Sequence, residues 1–147
     1  MSEVRLDWLR GKTFVGTDST RHAIVIEPPN GDAGTGVKPS DLLLLGLVSC
    51  ASVDLIDILG KKRQPPDRME VRVEGIQDPD PPWTFRKIHM HFVFQGALLQ
   101  PAAVEQAIRL SEEKYCSVAA TIRCAAEIST SFEIQPSDGA IAGGKTS

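Results

Sequence analysis

The chain has no C-x-x-C pair, and its three histidines, His22, His89 and His91, are scattered, the last two being only a strand-face pair. Their absence as a cluster excludes a zinc centre, and the missing C-x-x-C excludes a thioredoxin-type dithiol motif. No G-x-x-x-x-G-K-[ST] occurs, so the short Gly34-Thr35-Gly36 loop is no phosphate cradle. No G-x-S-x-G occurs either, which removes a hydrolase elbow. Lys and Arg form no run, and the net charge is −3, so the chain carries no electrostatic footprint for nucleic acid. The opening Met1-Ser2-Glu3-Val4-Arg5 has no basic stretch followed by an apolar one, so no secretory signal is expected. Asp54 and Asp57 interrupt the one long apolar run before about 18 clean apolar residues accumulate, which argues against a membrane span. A cytoplasmic protein follows as the expectation.

What remains is a chain of 147 residues with 41% apolar and 24% charged side chains, which is long enough for a real core. One domain over residues 1–135 is expected, followed by a small, polar, flexible tail over 136–147. Three cysteines without an export signal point to a reducing compartment, with thiols that either fill the core or react.

Val4, Leu6 and Trp8 alternate with Arg5 and Asp7, Thr13-Phe14-Val15 is β-prone, and His22 to Glu27 reads as a third strand. Three short strands with turn residues between them predict an antiparallel meander. A helix then starts near Pro39 and Asp41 and runs to about Lys62, where Gln64-Pro65-Pro66 ends it. From Leu42 to Ala51 it has no polar stripe, so it must be covered on every side. A second subunit is one way to cover it, and a sheet of its own chain is the other.

Met69, Val71 and Val73 alternate with charged residues. Ile88, Met90, Phe92 and Phe94 share one face of a further strand, and Glu127 to Ile134 alternates as another. Pro101 opens a second helix with Val104, Ala107 and Ile108 as its apolar stripe. The order predicts segregated α+β architecture on antiparallel sheets, not a parallel βαβ sheet.

The chemistry-bearing residues are cysteines. Cys50 lies mid-helix, where no free backbone N–H can support a thiolate. Cys116 stands where a short helical turn, Ser117 to Thr121, can begin, a place that favours one. Packing is the rival reading for both, since free cysteine behaves as a small hydrophobe, and Cys124 is expected to be a filler.

Lys38-Pro39-Ser40-Asp41-Leu42-Leu43 leading to Ser49-Cys50, and Ser111-Glu112-Glu113-Lys114-Tyr115-Cys116-Ser117-Val118, resemble the two cysteine blocks of the OsmC/Ohr family, most closely its YhfA-like branch. Arg5-Leu6-Asp7-Trp8 and Lys62-Arg63-Gln64 extend the resemblance over roughly residues 5 to 134. It implies an OsmC-like intertwined homodimer with long central helices wrapped by sheets. It also implies a cysteine-based peroxidase acting on small apolar organic hydroperoxides, with no cofactor. Cys50 would attack, Cys116 would resolve the sulfenic acid as a disulfide, and a dithiol such as a lipoyl group would recycle it. In the peroxidase branch an arginine pairs with a glutamate at the helix start. Here the acid is Asp41, and Lys12, Arg5 and Arg21 are the candidates for its cation. A lysine lacks the planar guanidinium fork. That departure keeps a second reading in view: a non-catalytic, redox-sensing or small-molecule-binding dimer.

Overall fold

Alternation and tight turns build the first part of the chain in the computed structural model, which describes residues 1–31 and 34–137. Strands β1 (Arg5–Arg10), β2 (Thr13–Thr17) and β3 (Ala23–Ile26) form the expected antiparallel meander. Gly11 turns the first hairpin at φ 50°, a backbone state that costs glycine little. Asp18 organises the second. Its carboxylate accepts from the backbone N–H of Thr20 and His22 and from the Thr20 hydroxyl, at 2.8–2.9 Å. The His22 backbone bond first, then the Thr20 hydroxyl, hold the Asp18 carboxyl below its ordinary value.

Helix α1 (Asp41–Lys61) follows, begun by Asp41 as the dipole favours and closed by Arg63 at φ 57°. Chain contacts divide the molecule within this helix into two compact units, Met1–Leu45 and the part from Gly46 onward.

In the second unit, β4 (Arg68–Gln77) pairs antiparallel with β5 (Phe85–Gln95). Here one expectation fails: β6 (Glu127–Gln135) pairs parallel with β5, so this sheet is mixed rather than antiparallel. The cause lies in the connection. Helix α2 (Pro101–Leu110), a π-helical turn (Ser111–Tyr115) and helix α3 (Ser117–Ile122) carry the chain back to the starting end of β5, as a parallel pair requires.

The core of this unit is built from the predicted faces. Ile88, Met90, Phe92 and Phe94 of β5 are buried, as are Val104, Ala107 and Ile108 of α2. On α1 the buried residues are Leu47, Ala51, Leu55 and Leu59, a single line at four-residue spacing. Leu42, Leu44, Val48 and Ile58 are half-buried, while Val53 is 64% and Ile56 43% exposed.

By length and a mean hydropathy of 2.2, α1 does qualify as a membrane-spanning helix. The two aspartates therefore do not exclude that reading as the sequence suggested. Its packed line instead marks it as a core helix on one side. The tail expected over 136–147 lies, from residue 138, outside the described residues.

Candidate functional site

Three hydrogen bonds lay α2 back along the second half of α1. At the far end of α1 the Gln64 side-chain oxygen accepts the backbone N–H of Gln100, just before α2, at 2.9 Å. Lys62 Nζ donates to Gln106 Oε1. At the other end of α2 the Ser111 hydroxyl donates to the backbone carbonyl of Ala51 at 3.0 Å. An antiparallel return of this kind delivers the end of α2 to the turn of α1 that carries Cys50.

The π-helical turn completes the approach. Its closing bond runs from the Cys116 N–H to the Ser111 carbonyl at 2.8 Å. One extra residue is thereby accommodated, a device often found at functional sites. Cys116 then caps α3, its Sγ accepting the Ala119 N–H at 3.3 Å. The Cys116 side chain is 2% exposed, and Cys50 is half-buried.

The Cys50 side chain lies near enough to act on the Cys116 thiol. Burial first, opposed by the Ala119 N–H and reinforced by hydrogen bonding to and charge on the Cys50 sulfur, pushes the Cys116 thiol up to about 11. The helix start thus does not win: a short helix end contributes less than the loss of water around a buried sulfur. Both cysteines are free thiols. Sixty-six residues apart in sequence, they meet in one unit.

Asp41 stands in the first turn of α1, with Lys38 Nζ 3.5 Å from its carboxylate. Lys38 was not among the nominated cations, although i,i+3 spacing on either side of Pro39 makes the pair legible. Arg5 is engaged by Asp7 at 3.0 Å. Lys12 and Arg21 sit in the hairpin turns of the first unit, Arg21 with φ 73°.

Cys124 is exposed beyond α3 and points its sulfur at the Ala120 carbonyl, so it is not the filler expected of it. Its segment leaves the helix on the solvent side. His22 bonds the Thr20 hydroxyl at the surface, while His91 bonds Ser131 at 2.7 Å. Among the described residues no three His, Cys, Asp or Glu side chains converge to hold a metal ion.

Two residues escaped the sequence reading. Ser111 is fully buried and reads as part of a polar run. Glu112 has a side chain only 14% exposed, and burial, partly offset by Arg123 at 4.0 Å, raises its pKa. Neither signals its environment without the π-helical turn.

The family description OsmC-like protein matches residues 31–131. The chain belongs to the OsmC-like family. It is 34% identical over 132 residues to protein YhfA of Escherichia coli strain K12, spanning 90% of this chain and 97% of that protein. A hypothetical protein from Aquifex aeolicus VF5 superposes with a TM-score of 0.82 at 31% identity, over 94% of this chain and 98% of that one. The organic hydroperoxide resistance protein OhrB of Bacillus subtilis superposes with a TM-score of 0.62 at 18% identity, over 90% and 98%. At that identity the last likeness speaks for the OsmC-like fold alone.

Proposed function

We propose that this OsmC-like chain is a dimeric, cytoplasmic thiol peroxidase that reduces organic hydroperoxides. The observation that carries the reading is the nearness of the Cys50 and Cys116 side chains within one unit.

The chemistry balances on these two sulfurs. The Cys50 thiolate attacks the distal peroxide oxygen, the O–O bond breaks, and the alkoxide leaves and takes a proton. Cys50 becomes a sulfenic acid and the hydroperoxide an alcohol. The Cys116 sulfur then attacks the sulfenic sulfur, an S–S bond forms, and water leaves. A dithiol such as a reduced lipoyl group exchanges with the disulfide and returns both thiols.

The raised Cys116 pKa fits the order of events. Before oxidation, burial first and the neighbouring Cys50 sulfur after it keep Cys116 protonated, which leaves Cys50 as the attacking sulfur. Asp41 keeps the role that the family resemblance gives it, positioning a cation, and within its own unit it pairs with Lys38 at 3.5 Å.

Dimerisation is supported by the uncovered side of α1, where Val53 and Ile56 present apolar surface. A second copy laid on that side would bury it and line the thiols with apolar groups, which favours organic over hydrogen peroxide.

A second reading, a redox-sensing or ligand-binding dimer, draws on one observation: a resolving thiol pushed up to about 11 is a slow nucleophile at neutral pH. Turnover of cumene hydroperoxide with dihydrolipoamide separates the two. The peroxidase reading requires turnover by the natural chain and none by Cys50→Ser. Equal rates for both proteins end it.

A further inference from the structure

We propose that Ser111 is the positioning residue that sets how readily Cys50 and Cys116 join, and it takes its physiological meaning from the peroxidase reading. It belongs to neither thiol, yet it bonds the backbone beside each. Its hydroxyl donates to the carbonyl of Ala51, the residue after Cys50, at 3.0 Å. Its own carbonyl accepts the N–H of Cys116 at 2.8 Å. Two hydrogen bonds and a single residue therefore link the main chain at one sulfur to the main chain at the other.

The position is costly without that role. Ser111 is 0% exposed, and a hydroxyl placed there without a partner is strongly disfavoured. An alanine would fill nearly the same space. The hydroxyl tethers the widened turn to α1, where the Ala51 carbonyl has a second lone pair available beyond its place in the helix. Without the tether the turn keeps its closing bond to Cys116 but is free to drift from Cys50. Disulfide formation is sensitive to that drift, because it requires Cα atoms within about 7 Å and a set dihedral.

The test uses the full chain carrying Cys124→Ser, which removes the exposed third thiol. Equilibration with glutathione measures the pair directly: protein dithiol and oxidised glutathione give protein disulfide and two molecules of reduced glutathione. No peroxide is involved. Ser111→Ala is expected to lower this equilibrium constant about tenfold, the scale of one buried hydrogen bond. Ser111→Thr, which keeps the hydroxyl, is expected to restore most of it.

A second readout follows one equivalent of cumene hydroperoxide. Dimedone should trap more Cys50 sulfenic acid in Ser111→Ala, while the rate at which Cys50 is first consumed stays unchanged. Wild-type values of the glutathione constant in Ser111→Ala overturn the proposal, whatever happens to the melting temperature. If Ser111→Ala does not fold, Ser111→Gly is read in its place, and a wild-type constant there overturns the proposal equally. A natural chain that forms no sulfenic acid refutes the peroxidase reading, but leaves the glutathione result to decide the role of Ser111.

Discussion

Replacing Cys50 with serine is expected to make Cys116 a stronger acid. Cys116 titrates at about 11 against an ordinary 9.0: burial raises it most, while the N–H groups of Ala119 and Val118 both lower it. The Cys50 sulfur adds a hydrogen bond and a charge, each pushing in the same direction as burial. Serine stays neutral across the titration, so the charge disappears completely and only a weaker hydrogen bond can persist. At pH 7 a thiol titrating at about 11 is ionised in roughly one molecule in ten thousand, and each unit taken off its pKa raises that tenfold. The midpoint in Cys50→Ser should therefore fall by at least about half a unit. Ultraviolet thiolate absorbance, read across an alkaline titration in a Cys124→Ser background, measures it. An unchanged or higher midpoint refutes the claim that the two sulfurs interact. Stability follows the same sign. A folded pKa above the unfolded one stabilises the fold below pH 9, and that contribution is lost as pH rises through about 11. The gap of about two pH units amounts to ~3 kcal/mol at most.

Leu55 is fully buried on the packed line of α1, so Leu55→Ala should cost about 2–5 kcal/mol in urea unfolding. A loss well under 1 kcal/mol would show that this line is not core. Val53→Glu places a charge on the uncovered side of α1 and is expected to convert a dimer to monomers in light scattering. A dimer of undiminished strength would remove this side of α1 from the interface. Glu112→Gln should raise the melting temperature at pH 7, because burial makes ionised Glu112 unfavourable and its amide avoids that cost. Arg123 keeps its 3.1 Å bond to the Glu112 carbonyl in either case. The gain should fade as pH falls through the raised pKa of Glu112, and a lower melting temperature at pH 7 would contradict the argument.

Much of the scaffold was readable because local rules decide it. Two-residue alternation marked β1, β4 and β5, β-prone runs marked β2 and β3, and the Val104, Ala107 and Ile108 stripe marked the inner side of α2. Cys116 was placed at the head of a short helix, where it does stand. Strand direction was not readable: the alternation of Glu127 to Ile134 is the same whether β6 runs parallel or antiparallel to β5. The helix-end argument for an acidic Cys116 failed for a related reason. Capping is local, but burial depends on residues far along the chain, and burial outweighs the cap. Cys124 and Asp41 teach the same lesson, one exposed where packing was expected, the other paired with Lys38 rather than with a residue of the first hairpins.

By itself the sequence determined the family, the order and kind of the elements, and the two thiols worth testing. Periodicity, capping and short motifs are properties of neighbouring residues, and they survive without a fold. Only the tertiary structure decided that α2 returns along α1, that a π-helical turn widens at Ser111, and that the hydroxyl there bonds the Ala51 carbonyl next to Cys50. The return of α2 and the Ser111 bond depend on contacts across 36 to 60 residues, whose geometry is set by packing and solvent exclusion rather than by any local pattern.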